Sequence, residues 1–152
     1  MSSARPTTEG YIPFKGYRTW YMSVGDPAHD AERPPLLALH GGPGAPHDYL
    51  ENLAQLADTG RRVIFYDQLG CGASDKTGKP EMYTVELYVE ELGEVRRALG
   101  LERLHLLGQS WGGWLAIEYL LTAQPRGVVS LTLASTSPST AQFVREARRM
   151  IG

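Results

Sequence analysis

Short apolar segments punctuate the chain, and amphipathic stretches separate them. Leu36–Leu39, Val63–Tyr66, Arg103–Leu107 and Val128–Ala134 have the near-continuous apolar character of strands covered on both faces. Ahead of them, Gly10–Phe14 and Arg18–Val24 read as an antiparallel pair turned at Lys15-Gly16. Helices are predicted in the gaps. One lies near Asp48–Ala57. A second is well marked, because Val85, Tyr88, Val89, Leu92, Val95 and Leu99 share one face, with Thr84 as N-cap and Gly100 as the stop. In that helix Glu86, Glu90 and Glu91 precede Arg96 and Arg97, a charge order that suits the helix dipole. A third covers Trp114–Leu120 and ends near Gln124-Pro125, and the tail from Ser139 to Ile151 is predicted helical with Phe143, Ala147, Met150 and Ile151 on one side. Strand and helix alternate after the opening hairpin. The predicted fold class is therefore α/β: a mostly parallel sheet with an antiparallel N-terminal hairpin and helices on both faces.

Composition narrows the function classes. At 152 residues one domain with its own core is expected. The net charge of −2, with no basic stretch, argues against a nucleic-acid partner. No apolar run reaches membrane-spanning length, and Met1–Glu9 lacks the apolar core of a signal peptide. A cytoplasmic location with no membrane partner is the expectation. The single cysteine, Cys71, excludes an internal disulfide and fits a reducing compartment as a small packed residue. Neither metal-ligand spacing nor a phosphate-cradling loop is present, so no cofactor and no metal are expected.

Eight of the 17 glycines fall inside three motifs, which makes the glycine excess local and functional. The first motif is Gly108-Gln109-Ser110-Trp111-Gly112-Gly113, placed between the strand Leu104–Leu107 and a helix. A serine at such a corner sits on a strained turn with its Oγ pushed outward, and flanking glycines leave room for neighbouring backbone. The helix start directs free N–H groups and positive dipole toward that oxygen. Ser110 is the candidate nucleophile. The second motif, His40-Gly41-Gly42-Pro43-Gly44, follows the strand Leu36–Leu39. Acyl transfer through a serine needs two N–H donors for the oxyanion. Trp111 is the candidate for one; Gly42, with Gly41 as fallback, is the candidate for the other. His40, Gly41, Pro43 and Gly44 are assigned to ordering the loop, His40 by hydrogen bonding rather than as a base. The third motif, Asp67-Gln68-Leu69-Gly70-Cys71-Gly72, reads as a rigid turn that shapes the pocket floor, with Asp67 bonded to nearby backbone.

In this order and spacing the three motifs resemble the α/β-hydrolase fold. More closely, they resemble the proline iminopeptidases and their tricorn-interacting-factor relatives, and the match runs from about Gly10 to Ser135. The resemblance implies a serine peptidase that attacks the carbonyl of an N-terminal residue, typically proline, with Ser110 as nucleophile and Gly42 and Trp111 as oxyanion donors. Small peptides or amino-acid amides would be the substrates. A small-substrate amidase or esterase of the same fold, or a catalytically inactive truncated protein, are the alternatives.

The departure from the family pattern is equally informative. In this fold the triad runs serine, acid, histidine along the chain. After Ser110 there is no histidine and no aspartate, only Glu118 and Glu146. All four histidines precede the serine: His29 in a polar, solvated loop, His47 at a possible pocket rim, and His40 and His105 as structural groups. The chain therefore reads as an N-terminal half, with residues 1–138 belonging to the core and 139–152 beginning a cap. Its expected partners are the missing C-terminal half or, failing that, further copies of itself.

Overall fold

The computed structural model describes residues 5–151, with the N-terminal residues 1–4 and residue 152 outside it. Six strands form one sheet: β1 (Thr7–Phe14), β2 (Tyr17–Val24), β3 (Leu36–Leu39), β4 (Val63–Tyr66), β5 (Leu104–Gln109) and β6 (Val128–Ala134). Their spatial order is β1-β2-β4-β3-β5-β6. β1, β2 and β4 pair antiparallel, whereas β4, β3, β5 and β6 run parallel. The α/β class, the N-terminal hairpin and the mostly parallel sheet agree with the reading of the sequence. Strand ends differ by a few residues. β1 begins at Thr7, and β5 runs on to Gln109, which carries its last pair up to the serine.

The period-2 alternation of β3 and β4 divides the core into two layers. Leu37, Leu39, Ile64 and Tyr66 pack on one face with Leu92 and Val95 of α1 (Val85–Ala98) and with Ala116 and Tyr119 of α2 (Trp111–Thr122). Leu36, Ala38, Val63 and Phe65 pack on the other, under Leu50, Leu53 and Ala57 of the segment His47–Thr59. The helix predicted near Asp48–Ala57 is present and slightly longer, wound as a 3-10 helix that is entered from Pro46 and closed by Gly60 at φ 80°. Each fully buried leucine or isoleucine of these layers contributes about 1.5–3 kcal/mol relative to exposure. α1 is as its pattern requires: the Thr84 hydroxyl accepts from the Leu87 N–H, and Gly100 takes φ 65° past its end.

Two charged residues of α1 correct the sequence reading, which treated them as surface groups serving the dipole. Glu91 is fully buried. Its Oε1 accepts from the Thr19 hydroxyl at 2.5 Å and from the Leu69 N–H at 2.9 Å. Arg96 is buried too. It donates to the Tyr119 hydroxyl and to the carbonyls of Leu101 and Arg126, tying the end of α1 to the turns that lead into β5 and β6. Both residues fall on the apolar face because the stripe is wide enough to include positions 91 and 96. The backbone groups they satisfy lie in loops with no ladder partner.

β6 is an edge strand with Val129 and Leu133 exposed. Its exposed faces correct the expectation of a strand covered on both sides, while the unpaired outer edge is as expected, with no further strand beyond it among the described residues. α3 (Thr140–Ile151) follows, with Phe143 and Met150 exposed, while the Ile151 side chain lies outside the described residues. Produced as the 152-residue chain, the protein is expected to self-associate through this apolar edge. The paired substitutions Val129→Lys and Leu133→Lys should shift the light-scattering mass toward monomer; no change would move the association elsewhere.

Burial pushes the Glu91 carboxyl up to about 7, against the pull of its bonds from Thr19 and Leu69. The folded-state value lies above the ordinary 4.5. Stability from this group is therefore complete below that ordinary value and is lost as pH rises through about 7. The melting temperature is expected to fall between about pH 5 and pH 8. Glu91→Gln should flatten that fall, a difference on the order of 3 kcal/mol once the carboxylate is ionised. An equal slope in the variant would exclude Glu91 as its source.

Candidate active site

β3 has its sequence successor β4 on one side and β5 on the other. The chain leaving β3 enters the 3-10 helix on one face of the sheet, and the chain leaving β5 enters α2 on the opposite face. A crevice opens where such neighbours diverge, outside the carboxyl ends of the strands. The loop His40–Gly44 and the residue Ser110 stand at its two sides.

Ser110 is the residue between β5 and α2, with φ 53° and ψ −119°, a left-handed conformation that is strained for a non-glycine residue. Hydrogen bonds to its backbone hold it there. Its N–H donates to the Ala134 carbonyl at 2.9 Å. Its carbonyl accepts from the Gly113 N–H at 3.0 Å and from the Thr136 hydroxyl at 2.7 Å. The glycines are required by close packing. A Cβ on Gly112 would stand 2.6 Å from the His40 carbonyl oxygen and closer still to that of Leu39. On Gly108 it would reach 2.5 Å from Gly113 Cα, and on Gly113 it would strike Thr136. Gly112→Ala is expected to destabilise the fold by about 1–3 kcal/mol or more, read as a lowered urea midpoint. An unchanged midpoint would mean that the strand end yields freely.

The glycine loop lies directly against the serine: a Cβ on Gly41 would be 3.1 Å from Ser110 Cβ and 2.6 Å from Gln109 Oε1. Gly41 is buried, and its N–H donates to the Tyr49 hydroxyl at 2.6 Å, whereas Gly42 is exposed at φ 115°. The Tyr49 hydroxyl in turn donates to Gln109 Oε1 at 2.6 Å. Pro43 follows Gly42 at the mouth, and Gly44 takes φ 104° where the loop turns away. A cavity of about 230 Å³ is lined by Gly42, Pro43, Ser110, Trp111, Trp114 and Phe143. A second of about 230 Å³ lies on the other side of Pro43, against Gln68, Leu69, Cys71 and Tyr88. Two larger surface hollows, one beside Arg96 and one beside Arg5, share no residue with either.

His40 is fully buried below the loop. Its Nε2 accepts from the Gln68 N–H at 2.9 Å, which places the ring proton on Nδ1, 2.9 Å from the Gly41 carbonyl oxygen. Burial lowers its pKa and keeps it neutral. His47 does not line the cavity around Ser110. It stacks on Trp20 at 4.4 Å, and its Nδ1 sits 2.8 Å from Asp67 Oδ1. Burial works against the imidazolium, but the bond and charge of Asp67, helped by Glu51 and Asp48, outweigh it and raise the His47 pKa above 6.5. Asp67 also accepts from the N–H groups of His47 and Ala73. Gly72 has no room for a side chain beside that carboxylate. His29 is exposed, and His105 Nδ1 pairs with Ser130 Oγ at 2.7 Å. No histidine bonds to Ser110 among the described residues. Cys71 is buried, and burial first, then the charges of Asp67 and Glu91, push its thiol up to about 12, so it is no nucleophile.

Four contributors escaped the sequence reading. Tyr49, Gln109 and Thr136 touch the loop or the serine, and Gln68 was quoted within a motif but given no task. Gln68 Oε1 accepts from the Trp111 indole N–H at 2.8 Å, and its Nε2 donates to the His40 carbonyl at 3.0 Å. The available signal was position alone: Gln68 and Gln109 stand in glycine motifs, whereas nothing local marks Tyr49 or Thr136. Among the described residues no group of three or more His, Cys, Asp or Glu side chains is placed to hold a metal ion. No helix among them is long and apolar enough to cross a membrane.

An α/β sheet with a serine on a strained strand-to-helix corner, facing a glycine loop across the switch point, defines a class. The family described as alpha/beta hydrolase fold matches residues 34–152, and the chain belongs to it. Within it, the chain is similar to the proline iminopeptidase of Clostridioides difficile (strain 630), 48% identical over 144 residues that cover 95% of this chain and 48% of that protein. It superposes on the crystal structure of VinJ with TM-score 0.87 at 38% identity, covering 94% of this chain and 48% of the other. For the crystal structure of the Mycobacterium smegmatis proline iminopeptidase the TM-score is 0.83 at 40% identity, covering 93% and 48%. The chain thus spans about half the length of the curated relatives it matches.

Proposed function

We propose that this chain is the nucleophile-bearing half of a serine aminopeptidase of the proline iminopeptidase kind. The observation that carries the reading is the left-handed Ser110 at the start of α2, packed against the Gly41-Gly42 loop. Ser110 Oγ attacks the carbonyl carbon of the N-terminal residue of a small peptide or amino-acid amide. The C=O π pair moves to oxygen, and the N–H groups of Gly42 and Trp111 receive the oxyanion. Gly42 is favoured over Gly41 because the Gly41 N–H is already given to Tyr49. Collapse expels the shortened peptide as its amine and leaves an acyl-serine, which water hydrolyses. In this reading the base that takes the serine proton, and the acid that orients it, are not among the described residues, which span about half the length of the relatives. Each histidine here is solvent-exposed or engaged elsewhere. α3 begins the cover over the cavity, with Phe143 already at its wall.

A fluorophosphonate probe with peptide mapping tests the assignment. Ser110 is expected to be the labelled serine, and slowly so in the 152-residue chain alone. With the remainder of the enzyme supplied, turnover of proline arylamides should appear. Ser110→Ala should then reduce it by several orders of magnitude, on the order of 10⁴-fold or more. Labelling at another serine, undiminished in Ser110→Ala, would remove the assignment. An ordinary enzymatic rate from the short chain alone would place the base among His29, His40, His47 and His105.

A further inference from the structure

Two side chains outside the reacting set bridge the glycine loop to the residues on either side of Ser110. On the N-terminal side, Tyr49 takes the Gly41 N–H at 2.6 Å and gives its own proton to Gln109 Oε1 at 2.6 Å. On the C-terminal side, Gln68 gives an amide proton to the His40 carbonyl at 3.0 Å and takes the Trp111 indole N–H at 2.8 Å. Gln68 is itself fully buried, and its backbone N–H is held by His40 Nε2. The Trp111 ring is further fixed by edge contacts with Tyr88 at 5.8 Å and Trp114 at 5.3 Å. We propose that Tyr49 and Gln68 are paired positioning residues that set the spacing between the two oxyanion donors, Gly42 and Trp111, a role that rests on the reading of Ser110 as nucleophile.

One oxyanion donor belongs to a loop after β3 and the other to the first turn of α2, so their separation is a tertiary distance that no local hydrogen bond fixes. The oxyanion hole works only when both donors stand about 2.7–3.1 Å from one developing charge. A shift of about 1 Å is enough to lose much of the effect. Each bridge joins a residue one or two positions before the loop donor to a residue beside the nucleophile. Tyr49 also occupies the Gly41 amide, which leaves the Gly42 amide as the loop's donor. Neither side chain touches the reacting atoms, so their contribution is to orientation.

The test uses the protein at the length of its relatives, comparing Tyr49→Phe, Gln68→Leu and Gln68→Glu with the parent. Tyr49→Phe removes one oxygen from a ring that is 45% exposed, so it is the variant least able to harm the fold. Tyr49→Phe and Gln68→Leu are each expected to slow fluorophosphonate labelling of Ser110 by roughly tenfold or more, short of the 10²–10³ seen when a donor is removed outright. On an amino-acid amide, kcat should fall with KM held within about twofold, since ground-state binding is untouched. Gln68→Glu supplies the discriminating readout. A protonated carboxyl carries the same acceptor and donor as the amide, whereas the carboxylate repels the His40 carbonyl. Its rate relative to the parent should therefore climb as pH falls. Variants that label and turn over within about twofold of the parent, or a Gln68→Glu ratio flat across pH, would overturn the proposal. A parent that does not label at Ser110 would take down the nucleophile reading, and this inference with it.

Discussion

The structure depends on one close approach, that of the first turn of α2 to the end of β3. The Gly112 backbone lies against the Leu39 and His40 carbonyls so tightly that no side chain fits between them. The topology makes this contact necessary. With the 3-10 segment and α2 leaving on opposite faces, the strand ends would splay unless backbone met backbone at the switch point. Glycine is costly in the unfolded chain because it gives up more conformational freedom than any other residue. The layer directly beneath offsets that cost, since Leu37, Leu39, Leu106, Leu115 and Ala116 are each 1% exposed or less. The strained Ser110 backbone persists for the same reason: its surroundings over-determine it.

A second constraint follows from the first. Loops pressed this closely against strand ends carry N–H groups that neither water nor a ladder partner satisfies. Buried polar side chains meet that demand. Glu91 takes the Leu69 N–H, Asp67 those of His47 and Ala73, and His40 that of Gln68. Each acceptor sits in a low-dielectric layer where a lost partner is expensive, so loop conformation is coupled to core packing. The price of the arrangement is a carboxyl in Glu91 whose ionisation opposes folding near neutral pH.

Much of this was legible along the chain, for identifiable reasons. Strands β3 and β4 read correctly because they are covered on both faces, which forces an unbroken apolar run. α1 read correctly because a cap, a stripe and a terminal glycine agreed. The glycine motifs pointed to close backbone approach, which is a property of the residue itself. What escaped depends on pairs distant in sequence. Nothing local marks Glu91 as different from Glu90, although one is buried on Leu69 and the other is exposed beside Lys15. His47 joins Asp67 across 20 residues, and Trp111 joins Gln68 across 43. The tighter winding of His47–Thr59 and the exposed face of β6 likewise answer to what packs nearby rather than to periodicity.

These distances also explain how the proposed chemistry divides along the sequence. In that proposal, oxyanion stabilisation depends on amides whose positions are set by β3, β4, β5 and the loops between them, with Ala134 of β6 and Thr136 anchoring Ser110. Its donors sit on backbone, and of its two bridges Gln68 is buried while Tyr49 is 45% exposed. A general base has the opposite requirement. It must reach the serine hydroxyl, accept a proton and give it to the leaving amine, so it needs a ring nitrogen that is not already committed. His40 spends both nitrogens on holding the loop, and His47 is drawn to Asp67 and stacked on Trp20. A histidine that orders an oxyanion loop is for that reason disqualified from serving it as base. In the proposed division, the network that prepares the glycine loop and the start of α2 to receive negative charge leaves the proton transfer to a group other than these histidines.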